Sequence, residues 1–390
     1  MKIVYCLNSV RHIGGIGIVT ITKANALADI DGNEVFLVVT DNHSGTEIAP
    51  ISPKVRVVDL DVNYYEDDWK SKWHVLKGIF VKRRLHKKRL KKVLNEIQPD
   101  IVVSLGMSEK YMLPSISQNG TYAIVREMHY SKNYRQFVAS SFFDKVMAYC
   151  GDVYDYKYFI KKYDQIVVLT NEDKELNWSE GYCISVIPNP VTFTSDALSQ
   201  LNVKKVISVG RLVMQKDFHS LIRSYKGVVH KHPDWNLEIY GEGGLYNELQ
   251  VLIDELELTN NVHLKGYTSQ VREKMQDASC FVMSSKFEGF GLVLIEAMQC
   301  GLPCVSYDCP CGPKDIITDG KDGFLVPLGD EKTLAEKICF LIEHPDVMAE
   351  MGKAALLKAE KYSLDNIIPM WMDLFKRLLD EKKYGRKGVR

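Results

Sequence analysis

The chain has 390 residues, of which 46% are hydrophobic and 26% are charged, so it can bury two sizeable cores and is not a disordered chain. Fifty Lys and Arg residues balance 50 Asp and Glu residues, which excludes a basic nucleic-acid coat and an acidic solvating chain. The nine cysteines, an odd number with several in apolar runs, favour buried free thiols over a disulfide framework.

The first half of the chain alternates short β-branched runs with helical stretches, which predicts a parallel sheet covered by helices. The predicted strands are residues 2–7, 34–39, 55–60, 101–105, 122–125 and 165–169. Pro188 and Pro190 then favour extended backbone and interrupt the alternation. We therefore predict a first domain at residues 1–190.

The alternation resumes with predicted strands at residues 205–209, 236–240, 262–265, 279–283, 303–306 and 323–326. This pattern predicts a second domain at 191–365, so the fold class is α/β, with two doubly wound Rossmann-like domains facing a central cleft. Helical spacing of Ile367, Trp371, Leu374 and Leu378 predicts a helix at about 366–385 that packs on a domain surface, with Pro369 in its first turn. We assign this helix to the first domain, which it completes.

Glycines follow the first predicted strand, and Gly15 and Gly17 open the next helix. Such a turn serves either phosphate binding or close strand–helix packing. It is not the G-x-G-x-x-G pattern, and Asp29 and Asp31 come too early for a ribose carboxylate, which disfavours a NAD-dependent dehydrogenase.

The run from Arg126 to His129 follows the predicted strand 122–125. A histidine at the carboxyl end of a strand is a candidate for catalysis, although most histidines are structural or simply exposed.

Gly210, Arg211 and Lys216 follow the first predicted strand of the second domain. An Arg fork and a Lys charge five residues apart suit a diphosphate leaving group, and the alternative is a pair of exposed surface cations.

The strongest chemical pattern is Glu288 and Glu296, which flank Gly289, Phe290, Gly291 and Leu292. Glycines before a helix let backbone N–H groups approach a phosphate or a sugar, and Glu296 within the helix can accept hydrogen bonds from a diol. The alternative is an ordinary strand–loop–helix connection with solvated glutamates.

The eleven residues from Lys82 to Lys92 include eight cations and no acid, and apolar side chains precede them at Trp69, Trp73, Leu76 and Phe80. This basic strip either contacts an anionic membrane surface or is the solvated face of a helix that packs through Leu90, Leu94 and Ile97. Nothing else in the sequence supports binding of nucleic acid.

Taken together, these segments resemble a family 4 retaining glycosyltransferase of the GT-B fold (glycosyl transferases group 1), of the bacterial surface-polysaccharide type. The glutamate pair Glu288 and Glu296, the Gly210-Arg211 and Lys216 pattern and the glycine turn at 14–17 each match a motif of that family. The run from Asp308 to Leu325, which includes Gly312-Pro313, Ile316-Ile317 and Asp322-Gly323, resembles a later motif of the family.

The resemblance implies a nucleotide-sugar donor, either a UDP-sugar, which we favour, or a GDP-sugar, and a glycan or lipid-linked acceptor. Arg211 and Lys216 would bind the pyrophosphate, Glu296 the ribose, Glu288 the sugar, and the backbone near Gly266 and Tyr267 the base.

The resemblance also implies that Gly15, Gly17, Gly210 and the segment from Gly289 to Leu292 contact the nucleotide sugar. His129 lies near the family's histidine, with Glu127 or Arg126 as alternatives.

The family generally uses no metal and no cofactor, and we expect neither here. The rival interpretations are a non-hydrolysing nucleotide-sugar epimerase and an inactive nucleotide-sugar-binding subunit. The apolar start, Met1 to Leu7, is too short for a signal sequence, so we expect a cytoplasmic protein that attaches peripherally to the inner face of the cell membrane.

Overall fold

The computed structural model describes residues 1–11, 14–41, 49–64, 72–106, 108–117, 121–139, 141–178, 181–195 and 197–384, with the backbone alone for 72–80. These residues form two compact units. Unit 1 comprises the described residues of Met1–Leu169, Asn177–Thr192 and Leu364–Arg390, and unit 2 comprises those of Thr170–Leu176 and Phe193–Ser363. The chain therefore passes between the units four times, at 169/170, 176/177, 192/193 and 363/364.

Unit 1 contains a parallel sheet of seven strands in the order β3-β2-β1-β4-β5-β6-β7. The strands are β1 (Lys2–Leu7), β2 (Glu34–Val39), β3 (Val55–Asp59), β4 (Ile101–Ser104), β5 (Ala123–Glu127), β6 (Gln165–Val168) and β7 (Ile184–Val186). Its first five helices are α1 (Gly15–Ala28), α2 (Lys72–Ile97), α3 (Leu113–Ile116), α4 (Tyr134–Val138) and α5 (Phe142–Tyr154). The strand order reverses between β1 and β4, as in doubly wound folds.

Unit 2 contains a parallel sheet of six strands in the order β10-β9-β8-β11-β12-β13. The strands are β8 (Lys205–Val209), β9 (Asn236–Tyr240), β10 (Val262–Gly266), β11 (Cys280–Met283), β12 (Cys304–Tyr307) and β13 (Gly323–Val326). The helices are α6 (Asn171–Asn177), α7 (Phe218–Lys231), α8 (Tyr246–Glu255), α9 (Val271–Gln276), α10 (Leu292–Gln299), α11 (Pro313–Ile316), α12 (Glu331–Glu343) and α13 (Pro345–Ala359). Here the order reverses between β8 and β11.

The last helix, α14 (Leu364–Tyr384), returns to unit 1. Alternate residues of β1 point to opposite faces of the sheet, so Tyr5 shares one core with Trp371 and Phe375 of α14. Cys6 shares the core on the opposite face with Leu90 of α2. Both faces of the sheet are therefore buried at β1, which agrees with this strand being almost continuously apolar.

The structure confirms the α/β class and all twelve predicted strands, with ends that differ by at most two residues. Strand β7 was not predicted from the sequence, because its three residues are only half-buried and pair with a single neighbour at the sheet edge. The expected place of Pro369 is wrong. Helix α14 begins at Leu364, so Pro369 lies inside the helix, in its second turn.

The basic strip lies on α2. Leu90 and Leu94 of this helix pack into the core, as expected if the strip is the solvated face of a packed helix. Most of its cations are exposed, while Arg89 Nη1 donates to the Leu60 carbonyl at 2.7 Å. Trp69 lies outside the described residues, and so do the side chains of Trp73, Leu76 and Phe80. None of the described helices combines the length and apolar character that crossing a bilayer requires.

Candidate functional site

The reversal point of the unit 2 sheet carries Gly210, Arg211 and Lys216 on the loop after β8. A parallel sheet binds ligands beyond the carboxyl ends of its strands, at the point where the strand order reverses. Arg211 is exposed, and its guanidinium makes no hydrogen bond or ion pair with any described residue. Gly210 lies against the Lys216 side chain, and a Cβ added at this glycine would be 3.3 Å from that side chain. The loop thus carries one cation without a described partner, Arg211, and one packed cation, Lys216.

Lys216 and Glu288 form an ion pair across the reversal point, with 2.6 Å between Nζ and Oε1. Their side chains are only 16% and 9% exposed, so solvent screens the pair weakly. Ser284 Oγ donates to the Lys216 carbonyl at 2.8 Å, and Gln215 Nε2 donates to the Phe287 carbonyl at 3.0 Å. These bonds join the loop after β8 to the loop after β11.

The loop after β11 leads through Gly289 and Phe290 to α10, where Gly291 is the N-cap with φ +90°. That left-handed conformation favours glycine and turns the free N–H groups of the first helical turn toward the loop. The next residue, Leu292, begins the helix, and Glu296 lies in its second turn, half-buried. Both glutamates of the predicted pattern therefore belong to one loop–helix connection.

Gly312, which belongs to the later family motif, packs directly against this loop. Its φ is +144°, and a Cβ there would be 2.1 Å from the Phe290 carbonyl oxygen. The Phe290 ring is buried and packs edge-on against Tyr362, with 5.7 Å between ring centroids. Asp322, from the same motif, is buried and accepts a hydrogen bond from the Thr318 N–H at 2.7 Å. These motif residues have structural roles.

Gly266 and Tyr267 lie at the carboxyl end of β10, two strands from β8. With strands spaced by about 4.8 Å, this places them roughly 10 Å from the carboxyl end of β8. The Gly266 carbonyl accepts from the Gly241 N–H at 2.8 Å, and the Tyr267 side chain is 53% exposed.

Gly15 and Gly17 lie in the first turn of α1, at the carboxyl end of β1. They belong to unit 1, whereas the other donor-binding candidates belong to unit 2. Gly15 is exposed and Gly17 is buried.

His129 lies two residues beyond β5, with Nε2 3.0 Å from Glu127 Oε1 but without the direction of a hydrogen bond. Glu127 is fully buried and also pairs with the ammonium of Lys23 from α1. Burial alone raises the pKa of Glu127, but the neighbouring Lys23 and His129 outweigh it and hold the pKa at about 2. Glu127 is therefore a carboxylate that fixes its two neighbours.

Arg126, the other alternative to His129, faces a different group. Its Nη1 donates to Ser104 Oγ and to the Gly106 carbonyl, both at 2.7 Å, and lies 3.9 Å from Glu109 Oε1. Burial raises the pKa of Glu109, and the Arg126 charge opposes that rise. This buried cluster lies at the reversal point of the unit 1 sheet, and Glu109 was not predicted from the sequence.

Lys23, which is 1% exposed, was not predicted from the sequence either. Its Nζ lies 4.5 Å from the Trp371 ring centroid and 5.7 Å from that of Tyr5. A signal was present, because Lys23 is four residues from both Val19 and Leu27, which places a lysine on the buried face of the helix.

Residues 194–358 match the family model described as glycosyl transferases group 1. An uncharacterized glycosyltransferase of Haemophilus influenzae is 28% identical over 95% of this chain and 98% of its own length. A poly(ribitol-phosphate) alpha-N-acetylglucosaminyltransferase of Staphylococcus aureus is 34% identical over 56% of this chain and 46% of its own.

Two solved structures share the fold over almost the whole chain. Sucrose-phosphate synthase of Thermosynechococcus elongatus has a TM-score of 0.80 at 17% identity, covering 97% of this chain and 98% of that one. Anabaena HepE in complex with UDP and glucose has a TM-score of 0.71 at 18% identity, covering 97% and 100%. The fold is therefore GT-B. The chain itself is a glycosyltransferase, an enzyme of EC class 2.4.

Proposed function

We propose that this glycosyltransferase is a retaining, metal-independent enzyme of family 4. It transfers a sugar from a nucleotide sugar, with UDP favoured over GDP, to a glycan or lipid-linked acceptor in polysaccharide biosynthesis. The choice of nucleotide is supported by the HepE complex, which contains UDP and glucose. The class of acceptor is supported by the polymer named for the Staphylococcus relative.

The observation that carries the proposal is the Lys216–Glu288 pair at the reversal point between β8 and β11. An ammonium group has three donors, so Lys216 can keep its bond to Glu288 and donate to a phosphate oxygen as well. Exposed Arg211, on the same loop, supplies a bidentate fork for the second phosphate.

These two cations account for catalysis without a metal. As the bond to the sugar breaks, negative charge accumulates on the diphosphate, and the preorganised Arg211 and Lys216 stabilise it more than they stabilise the ground state. The acceptor hydroxyl approaches the face that the diphosphate leaves, a diphosphate oxygen takes its proton, and the anomeric configuration is retained. Glu288 would hold the sugar hydroxyls and Glu296 the ribose. His129 would contact the sugar.

A lipid-linked acceptor would give the basic strip a role, since its exposed cations attract anionic headgroups by roughly 1 kcal/mol each. Such an enzyme would work at the inner face of the cell membrane.

The test is to compare Arg211→Ala and Lys216→Ala with Lys226→Ala, a matched removal of an exposed cation from α7. We expect the first two variants to lose about 100-fold or more in turnover, because each removes one preorganised charge contact, while Lys226→Ala keeps the parent rate. The measurement is nucleotide release from UDP- and GDP-sugars, with and without an added acceptor. Near-parental turnover in folded Arg211→Ala protein contradicts the assignment, and isomer exchange without release indicates an epimerase.

A further inference from the structure

Helix α5 carries its large apolar side chains on the solvent side. Phe142 is 85% exposed and Phe143 is 70% exposed, and none of the 13 residues of the helix is buried. At 3.6 residues per turn, the apolar side chains form two adjacent rows, which we call the apolar face of α5. The rows are Phe142, Val146, Tyr149 and Val153, and Phe143, Met147, Cys150 and Tyr154.

The opposite side of α5 is small and polar, and it is the side that holds the helix in unit 1. Arg135 of α4 lies against Gly151, where a Cβ would be 3.0 Å from Nη1. Its two terminal nitrogens pair with Asp152 at 3.2 Å and with Asp155 at 2.7 Å. Lys110 Nζ lies 2.6 Å from Asp155. A surface helix ordinarily buries its apolar stripe, and this one is inverted.

The charges around the apolar face are predominantly positive. Asp152 and Asp155 are engaged with cations below the helix, and Asp144 forms a capping box with Ser141. The exposed cations along α5 and the residues after it are Lys145, Lys157, Lys161 and Lys162. The accessible rim of the apolar face is thus complementary to anions.

The apolar face is continuous with the basic strip on α2. Tyr154 contacts Phe159 with 5.1 Å between ring centroids, and Phe159 contacts Tyr111 at 5.0 Å. The Arg83 guanidinium carbon then lies 5.2 Å from the Tyr111 ring centroid. Apolar and cationic groups therefore form one surface of unit 1.

We propose that α5 lies in the interfacial layer of an anionic lipid bilayer, with Phe142 and Phe143 among the acyl chains and the basic strip on the headgroups. This deepens the membrane part of the proposed function by assigning the element that inserts. Helices of this composition bind at the bilayer interface through buried apolar area and lysines on the polar side. Pairing of two copies through this face would bring their lysines around one small interface, where like charges repel.

Flotation with vesicles tests the inference on the full chain. The probes are vesicles of phosphatidylcholine alone and of phosphatidylcholine with phosphatidylglycerol in equal parts, at low and at high salt. We expect Phe142→Ser/Phe143→Ser to bind the anionic vesicles about tenfold more weakly at either salt concentration, since apolar insertion is not screened. Lys87→Gln/Lys88→Gln should weaken binding at low salt only.

The matched control is Leu357→Ser, which removes a side chain of 64% exposure from α13 of unit 2 and should leave binding unchanged. Insertion is read directly at Cys150, on the apolar face, with an environment-sensitive fluorophore in a Cys183→Ser background, because these are the two exposed cysteines. We expect a blue shift with vesicles and quenching by brominated lipid.

Three results would overturn the inference: unchanged flotation of the Phe142→Ser/Phe143→Ser variant, a Cys150 probe that stays in water on bound protein, or dimers lost in that variant without vesicle binding by the parent. Nucleotide release measured without vesicles separates the two proposals, since the phenylalanine variant should keep the parental rate. Absence of release in the parent protein would remove the proposed function and leave the insertion of α5 standing.

Discussion

Lys23 and Glu127 form a buried ion pair in which each partner shifts the pKa of the other. Burial lowers the pKa of the Lys23 ammonium, Glu127 opposes that change, and the rings of Tyr5 and Trp371 surround the cation. Removing one partner leaves an uncompensated buried charge, which typically costs about 3–5 kcal/mol. The position of Lys23 on the helix was readable from its spacing, but its partner was not, because the pair joins residues 104 apart in the chain.

The pH dependence of stability should reveal this carboxylate. The pKa of Glu127 is about 2 in the fold, below its ordinary value, so its contribution is complete above about pH 4.5 and is lost as the pH falls toward 2. We expect the difference in unfolding free energy between the parent and Glu127→Gln to shrink by about 1.5 kcal/mol from pH 7 to about pH 3.5. Denaturant titrations at several pH values measure it.

Glu109→Gln is the matched control, because burial raises the pKa of Glu109 and the sign reverses. There the difference between parent and variant should move in favour of the parent as the pH falls. The same trend in both variants would contradict the assignment of Glu127 as a stabilising carboxylate.

At the scale of elements, the loop between β11 and α10 depends on a neighbour from another connection. Gly312 approaches the Phe290 carbonyl so closely that only a hydrogen fits, and this contact sets the position of Glu288 to Gly291. Two motifs that are separate in the sequence therefore build one structure.

Gly312→Ala should consequently weaken binding of the nucleotide sugar by tenfold or more, since the clash displaces the loop that would hold the sugar. Gly320→Ala serves as the control, because Gly320 also has a positive φ, +74°, but its Cβ would meet nothing within 4 Å. Its cost is limited to backbone strain of about 1 kcal/mol. Calorimetric titration with UDP-sugars measures both, and equal affinities would show that the contact with Phe290 does not position the loop.

What the sequence could predict also differs between elements. Buried strands such as β1 and β8 are recognisable in the sequence as apolar runs between turns, and the bounds of both were predicted to the residue. Helix α5 could not be read correctly, because its apolar spacing is that of a core helix while its small and charged residues make the contacts. An apolar stripe does not reveal which side of a helix faces the protein.

At the scale of the whole molecule, both sheets order their first six strands alike, and in each sheet the order reverses beside its first strand. Alternating strands and helices were enough to predict this arrangement. The passage of residues 170–176 into unit 2 was not predictable, because it depends on tertiary contacts. Asp315 accepts from the N–H groups of Asn171 and Glu172 at 3.1 Å, and Glu172 accepts from the Cys311 N–H at 2.8 Å.

Hydrogen–deuterium exchange with a UDP-sugar tests the distribution of donor-binding residues over the molecule. We expect slower exchange at residues 210–217, 265–268 and 288–296 of unit 2, and at the glycine turn 14–17 of unit 1, because bound ligand shields these backbone N–H groups. The basic strip should be unaffected. Protection confined to unit 2 would remove Gly15 and Gly17 from the donor site.

The return of α14 to unit 1 has a consequence for synthesis on the ribosome. Trp371, Leu374 and Phe375 fill the same core as Ile3 and Tyr5, so the sheet of unit 1 lacks part of its core until α14 has been translated. All residues of unit 2 are translated before α14, so unit 2 can fold while unit 1 is still incomplete. Nascent chains of multidomain proteins commonly fold from the amino terminus onward. Here unit 2 is complete before unit 1, so the apolar surface of β1 stays exposed to chaperones until α14 is made.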